Sequence, residues 1–231
     1  MLKFMTGIDV SVWQGDIDWG VVKNSIDFAI IRAGYGKNNI DKKAVQNIKG
    51  CEDNNIPYGL YWFSYAYTVE MARQEAQYLL QFIKGHVPLF PLYFDFEYDS
   101  VNYAKKQGAV ITNDLLCEMA TAFCEELENA GYYAGIYANN DYVKRMYDEE
   151  IFKKYDLWYA RWGVSEPGRN VNLWQSSDSG KVNGISGNVD TDVAYLDFPT
   201  LIKERGLNGY KPEPEFVCPN TCPHCPFVKG V

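Results

Sequence analysis

Short apolar runs recur along this chain and, over its first two thirds, alternate with segments that have the spacing of amphipathic helices. Runs of this length, rich in aromatic and β-branched residues, are typical of buried strands. Eight such runs occur, at residues 4–8, 28–31, 58–63, 92–94, 133–137, 157–159, 171–174 and 185–189. Because the early strands alternate with helices, the pattern predicts an α/β fold built on a parallel sheet.

Three longer helices are predicted, each beginning near a residue that suits a helix N-terminus. Asp41, Thr68, and Thr112 or Asn113 precede stretches whose apolar side chains fall on one helical face. Two shorter helices are predicted at residues 19–24 and 148–154. After the sixth strand the connections are too short for crossover helices. The count therefore predicts five β/α units followed by three strands in a tighter, partly antiparallel arrangement, closed into a single barrel.

Carboxylates stand where several of the predicted strands end. Asp95 and Glu97 follow the fourth run, Asp9 follows the first and Asp190 follows the eighth. Alternate residues of a strand point to the same face, so Asp95 and Glu97 are expected roughly 6–7 Å apart. In barrel enzymes the C-terminal strand ends form one mouth that holds the active site. The sequence therefore predicts a cluster of four acids at that mouth.

The pair Asp95 and Glu97 suits the cleavage of a glycosidic bond. Two carboxylates held close together in a partly desolvated place differ in proton affinity, so one stays charged while its neighbour holds a proton. Glycoside hydrolysis requires this division of roles. A strand that simply ends in solvated acids has the same pattern, since the D-x-E motif is short and common. The motif by itself leaves both interpretations open.

Composition narrows the function classes. The net charge of −8 argues against a nucleic-acid or anionic-membrane partner. The longest apolar stretch, residues 87–94, is too short to cross a bilayer, so no membrane insertion is expected. No signal-peptide pattern occurs at the N-terminus, and we expect synthesis in the cytoplasm and action after release. Motifs of zinc peptidases, α/β-hydrolases and P-loop proteins are absent from the sequence, and no cofactor is expected.

A series of short motifs, in order along the chain, resembles the glycoside hydrolase family 25 lysozymes, which are N-acetylmuramidases. The resemblance extends from about residue 5 to residue 198, and its specificity comes from the joint order of the motifs. They are GIDVS at 7–11, WQG at 13–15, IDW at 17–19, FAIIRAGYG at 28–36, GLYWFSY at 59–65, DFE at 95–97, GIY at 135–137, LWYARW at 157–162, WQ at 174–175 and GNVD at 187–190.

The resemblance implies a TIM-barrel-like (β/α)5β3 barrel that cleaves the β-1,4 bond after N-acetylmuramic acid in bacterial peptidoglycan. It implies that Glu97 is the general acid and that Asp95 orients or stabilises the 2-acetamido group of the substrate. Asp9 and Asp190 would complete the acidic cluster. The same analogy favours attack by the acetamido oxygen, with retention of configuration. Direct attack by water, with inversion, stays open.

Seven further side chains are candidates for the substrate groove, because they lie near strand ends or in the loop after the first strand. They are Arg32, Tyr61, Trp62, Tyr137, Trp158, Trp174 and Trp13. Trp62 stands where the family often has histidine. Each aromatic residue also has a structural interpretation as core filling. Arg32 can either pair with an acid of the protein or meet the lactyl carboxylate of the substrate.

The composition changes near residue 208, which predicts a catalytic barrel over 1–207 and a Pro/Cys-rich linker or tail over 208–231. A zinc site, a disulfide or a flexible reduced segment all stay open for the tail. An unpaired thiol there would permit self-association between chains. The tail side chains concerned are Cys218, Cys222, His224 and Cys225. The other cysteines, Cys51, Cys117 and Cys124, are predicted to be buried free thiols.

Two other function classes remain as alternatives. A non-catalytic glycan-binding barrel would share the fold, but the intact set of acids argues against it. A chitinase of family 18 also ends its fourth strand in D-x-E. Its longer motif requires aspartate at two positions that are occupied here by Phe90 and Tyr93, which makes that alternative weak.

Overall fold

The computed structural model describes residues 4–211. Its centre is a barrel of eight strands, with one additional two-residue strand paired at the rim. The strands are β1 Met5–Val10, β2 Phe28–Tyr35, β3 Asn39–Ile40, β4 Tyr58–Phe63, β5 Leu92–Asp95, β6 Ala134–Asn139, β7 Asp156–Ala160, β8 Leu173–Gly180 and β9 Val189–Ala194.

The strand order around the barrel is β1, β9, β8, β7, β6, β5, β4 and β2, and a β1–β2 pairing closes it. Neighbours from β1 through β2, β4, β5, β6, β7 and β8 are parallel. The last strand, β9, is antiparallel to both of its neighbours. The short β3 forms a hairpin with β2. The prediction of five β/α units followed by three partly antiparallel strands is confirmed.

The position of the last strand differs from the prediction. It begins at Val189, where the predicted strand at 185–189 would have ended. Gly184 and Gly187 adopt positive φ values of 96° and 91°, which bend the chain before β9. Asp190 therefore lies near the beginning of a strand and does not end one. It still reaches the mouth, because β9 is antiparallel and its first residues lie beside the last residues of β1, with Asp190 opposite Asp9.

Helices cover the outside of the barrel. Thr68 and Thr112 cap α3 (Val69–Phe82) and α5 (Asn113–Asn129), as predicted, by accepting bonds from the Met71 and Leu115 amides at 3.2 Å. Asp41 is not the N-cap of α2 (Ala44–Asp53), a position that Lys43 occupies. Its Oδ1 atom accepts a 2.8 Å bond from the Lys43 amide, just before the helix, and its Oδ2 atom is engaged by Arg32. The helices are α1 Trp19–Val22, α2 Ala44–Asp53, α3 Val69–Phe82, α4 Tyr98–Lys106, α5 Asn113–Asn129, α6 Asn140–Arg145, α7 Ile151–Lys154 and α8 Phe198–Arg205.

Three of these helices, α4, α6 and α8, were not predicted from the sequence. The polar helix α4 buries only Ser100 and Ala104 completely, so its sequence lacks the large apolar residues that mark a core helix. Helix α6 is a short helix that directly follows β6. Helix α8 packs Phe198 and Ile202 against residues that fill the barrel interior.

The packed part of the chain continues at least through Asn208, which is fully buried. Its amide nitrogen donates to the carbonyls of Pro88 and Phe90, both at 3.0 Å. Its side-chain oxygen accepts a 2.7 Å bond from the Tyr133 amide. This residue therefore ties the end of the chain's packed part to the connections that enter β5 and β6.

Cys51, Cys117 and Cys124 are free thiols; Cys51 and Cys124 are buried and Cys117 is half-buried. The cluster of Cys218, Cys222, His224 and Cys225, and any self-association through it, lies outside the described residues. Within 4–211, no helix has the length and apolar character needed to cross a membrane.

Candidate active site

A cavity of about 310 Å³ opens at the end of the barrel where the parallel strands finish. The side chains that line it come from all eight strands of the barrel and from the loops that follow β1 and β5. The structure brings the predicted acids together here with most of the predicted groove residues. The lining consists of Asp9, Ser11, Trp13, Gln14, Arg32, Tyr61, Phe63, Asp95, Glu97, Tyr137, Trp158, Gln175 and Asp190.

Glu97 lies directly after β5 and is the residue that precedes α4. Its backbone amide donates to the Ser100 hydroxyl at 3.0 Å, which fixes the chain where the strand turns into the helix. Burial raises the pKa of the Glu97 carboxyl to about 7, and the negative charges of Asp99 and Asp190 add to the rise. A carboxyl group with this pKa still carries its proton over much of the neutral range.

Asp95 is the last residue of β5 and is almost completely buried, with 4% of its surface exposed. Burial raises its pKa well above the usual range, and the Glu97 charge raises it further, while Arg32 lowers it. Its Oδ1 atom has no hydrogen-bond partner within the described residues. Asp95 therefore offers a desolvated acceptor next to the acid Glu97.

Gln175, on β8, connects the other two acids. Its side-chain nitrogen donates to Asp9 Oδ2 at 2.7 Å and to Asp190 Oδ2 at 3.2 Å. Its oxygen accepts from the Tyr137 hydroxyl and the Trp162 indole, both at 3.1 Å. Burial, followed by the charge of Asp178, raises the pKa of Asp190 to about 6. Gln175 belongs to the WQ motif at 174–175 but is not among the site residues predicted from the sequence.

Asp192 is a fifth acid, which the sequence argument missed. It is buried one inward-facing position deeper than Asp190 on β9 and accepts a 2.8 Å bond from the Trp158 indole through Oδ1. Burial raises its pKa to about 8. The pKa of Asp9 is also raised, first by burial and then by Asp192. The D-x-D spacing of Asp190 and Asp192 would have indicated this residue, had β9 been placed correctly.

Arg32 pairs with an acid of the protein and also borders the cavity. Its Nε and Nη2 atoms both lie 2.7 Å from Asp41 Oδ2. The same carboxylate oxygen accepts a 3.1 Å bond from the Val12 amide, which links Arg32 to the loop that carries Trp13. Trp13 is 81% exposed and lies at the edge of the cavity. A large apolar side chain in that position is available to a ligand.

Three of the predicted aromatic residues, Tyr61, Tyr137 and Trp158, line the cavity. The ring of Trp158 packs edge-on against both tyrosines, at 5.7 Å from Tyr61 and 4.7 Å from Tyr137. Each of the three is at least nine-tenths buried, so they form the floor and wall of the cavity and also part of the barrel interior.

Trp62 and Trp174 do not line the cavity, which corrects the prediction for both. Each is adjacent in its strand to an inward-facing residue and therefore points to the helical layer. The Trp62 indole donates to the carbonyl of Gly36 at 3.2 Å and packs beside Tyr78. The Trp174 indole donates to the Arg161 carbonyl at 2.9 Å. Both are structural residues of the outer core.

Two sequence relatives have the word lysozyme in their names. The chain is 28% identical over 211 residues to the autolytic lysozyme of Clostridium acetobutylicum, an alignment that covers 89% of this chain and 61% of that protein. It is also 28% identical over 201 residues to lysozyme M1 of Streptomyces globisporus, covering 80% of this chain and 65% of that protein. The chain thus spans less than two thirds of either relative.

Solved structures share the barrel. The modular autolysin LytC of Streptococcus pneumoniae superposes with a TM-score of 0.72 at 27% identity, covering 82% of this chain and 46% of that one. A bacterial lysozyme from Streptomyces coelicolor superposes with a TM-score of 0.66 at 24% identity, covering 81% of this chain and 90% of that one. At this identity the likeness shows a shared fold and no more. Residues 8–185, more than half of the chain, match the family described as glycosyl hydrolases family 25. The chain belongs to this family.

Proposed function

We propose that this protein is a lysozyme that hydrolyses the β-1,4 bond between N-acetylmuramic acid and N-acetylglucosamine in bacterial peptidoglycan. Membership of glycosyl hydrolases family 25 and the names of the sequence relatives support a cell-wall substrate. The observation that carries the proposal is the pair Asp95 and Glu97 in one desolvated cavity. The raised pKa of Glu97, about 7, suits it to the role of general acid.

In the first step Glu97 donates its proton to the glycosidic oxygen as the bond from that oxygen to the anomeric carbon breaks. An alkoxide would be a poor leaving group, and protonation makes the departing sugar a neutral alcohol. Asp99 and Asp190 assist indirectly, because their negative charges help Glu97 to keep its proton until the substrate is bound.

Asp95 orients the internal nucleophile. Its unpartnered Oδ1 atom is an acceptor for the N–H of the substrate's 2-acetamido group. With the acetamido group held in this way, its carbonyl oxygen attacks the anomeric carbon and forms a cyclic oxazolinium ion. The positive charge that develops on that ring favours the ionised form of Asp95, and the carboxylate in turn stabilises the ring.

Water completes the reaction. It attacks the anomeric carbon, gives a proton back to Glu97 and reopens the oxazolinium ring, which regenerates the acetamido group. Two displacements at one carbon retain the configuration. The alternative is a single attack by water activated by Asp9 or Asp190, which would invert it.

The test is digestion of purified peptidoglycan, followed by mass spectrometry of the new reducing ends and NMR of the first-formed anomer. Muramic acid ends with retained configuration are expected. Glucosamine ends or cleaved peptides would contradict the proposed bond, and an inverted anomer would contradict the acetamido mechanism alone. The Glu97→Gln variant is the matched control for contaminating hydrolases.

A further inference from the structure

The acidic cavity continues into a longer groove along one side of the barrel mouth. A second cavity of about 470 Å³ shares Trp13, Arg32 and Phe63 with it. A third cavity, of about 850 Å³, shares Tyr35, Tyr65 and Asp99 with the second. We call this third cavity the side cavity. It is larger than the acidic cavity and lies between the β2–β3 hairpin and helix α4.

Tyrosine rings form the apolar wall of the side cavity. The Tyr65 ring lies 5.0 Å from Tyr103 and 6.4 Å from Tyr35, and all three line the cavity. Tyr65 is held in place by the buried Glu75, whose Oε1 atom accepts its backbone amide at 2.9 Å. This bond fixes the backbone of Tyr65, which contacts both of the other rings, to the core of the protein.

Lysines form the rim of the side cavity. Lys37 comes from the hairpin, and Lys105 and Lys106 come from the last turn of α4. Within residues 4–211 none of these three forms an ion pair, whereas the only acid that lines the side cavity is Asp99. In a chain with a net charge of −8, this is a local excess of positive charge beside a cluster of acids.

The position of the lysines on α4 has a structural explanation that accounts for only part of the cluster. Cations in the last turn of a helix interact favourably with the helix dipole, which applies to Lys105 and Lys106. Lys37 lies in a hairpin turn and has no such role. All three side chains nevertheless border one cavity that communicates with the acids. The dipole therefore does not explain why they converge.

We propose that the side cavity binds the stem peptide of the peptidoglycan strand through its carboxylate groups. This inference rests on the proposed function, because the peptide enters the groove attached to the lactyl group of a muramic acid bound at the acidic cavity. The peptide carboxylates would be repelled by the acids there. The lysine rim offers them compensating charge, while the tyrosine wall packs against the apolar parts of the peptide.

The direct test is calorimetric binding to the Glu97→Gln variant, which is expected to bind strands without cleaving them. The probes are soluble uncrosslinked strands with intact stem peptides and the same strands with their peptide carboxyl groups amidated. At low ionic strength we expect about tenfold tighter binding of the carboxylate form, the combined effect of three exposed ion pairs. Raising the salt concentration should reduce the difference because exposed charges are screened.

In the same background, K37A/K105A/K106A should abolish the preference for carboxylate-bearing strands. The matched control is K23A/K84A/K203A. It removes three exposed lysines that lie outside the groove and form no ion pair within 4–211, so it changes the net charge equally. The control should keep the preference. Equal binding of both strands by the Glu97→Gln variant, or equal loss in both triple variants, would overturn the inference.

The two proposals fail in different ways. If the wild-type protein cleaves strands but shows no preference for the carboxylate form, the proposed function stands and the side cavity does not bind the peptide through its charges. If the preference and its dependence on the lysine rim are found, but the wild-type protein cleaves no glycosidic bond, the peptide site stands and the proposed function is wrong.

Discussion

At the level of single residues, Glu97 is the side chain on which the proposed chemistry depends most. Glu97→Gln keeps the size of the side chain and removes the transferable proton. We expect turnover of peptidoglycan to fall by two or more orders of magnitude, because general-acid catalysis contributes roughly 100- to 10,000-fold. The free energy of unfolding should hold or increase, since the amide has no buried charge. Turnover within tenfold of wild type would rule out Glu97 as the acid.

Asp190 is expected to set the pH range of the reaction through Glu97. Its negative charge helps to hold the pKa of Glu97 at about 7. A general acid acts in its protonated form, so activity should fall as the pH rises through that value. Asp190→Asn removes one of the charges that raise the pKa of Glu97. The alkaline limb of the kcat/KM profile should therefore move to lower pH. Asp53→Asn, at an exposed acid of α2, is the control. An unmoved limb in Asp190→Asn would contradict this electrostatic role.

At the level of elements, most of the architecture could be predicted from the sequence, but the position of the last strand could not. Strands β1 to β7, apart from the two-residue β3, have strong local apolar runs, and β8 begins with apolar residues, so these strands and the acids Asp9 and Asp95 were predictable. Strand β9 has three consecutive polar residues, 190–192, and therefore no apolar run, and its antiparallel direction depends on pairing with β1 and β8. Because the antiparallel direction of β9 was not predicted, Asp192 could not be assigned to the site, and the hydrogen bonds by which Gln175 bridges Asp9 and Asp190 could not be predicted.

The tryptophans fall into two classes, buried outside the barrel wall or exposed at the cavity edge, that mutation can distinguish. Trp62 faces the helical layer, so Trp62→Phe should lower the free energy of unfolding by roughly 1–3 kcal/mol through lost packing and a lost hydrogen bond. The KM of the Trp62→Phe variant should stay near the wild-type value. Trp13 is exposed at the cavity edge, so Trp13→Ala should raise KM and leave the melting temperature unchanged. Denaturant unfolding and steady-state kinetics on soluble strands measure both, and the opposite pattern would contradict the assignment.

At the level of the whole molecule, the barrel buries several acids whose pKa values lie above their ordinary range. Burial is the first cause in each case, and the pKa values are about 6 for Asp190, about 7 for Glu97, and about 8 for Asp192 and Glu75. The unfolded chain would release these protons near pH 4. Between about pH 4 and pH 8 the folded protein therefore binds more protons than the unfolded one.

This imbalance makes stability decrease as the pH rises. The slope of the unfolding free energy with pH follows the protons bound by the unfolded state minus those bound by the folded state, and that difference is negative here. The stabilisation by these groups is complete near pH 4 and is lost progressively as the pH rises from there. The loss from each group ends as the pH passes its folded pKa, between about 6 and 8. For a domain of this size about 1 kcal/mol corresponds to roughly 2–4 °C. We expect the melting temperature to be about 5 °C or more lower at pH 8 than at pH 5.

Asp192→Asn tests the origin of that slope. The amide keeps an oxygen to accept the Trp158 indole bond but cannot ionise, so the variant should lose less stability between pH 5 and pH 8 than wild type. Asp53→Asn removes an exposed acid and should reproduce the wild-type slope. Calorimetric melts of the three proteins across this range give the comparison. A wild-type melting temperature that rises from pH 5 to pH 8 would mean that the buried acids do not dominate the pH dependence of folding.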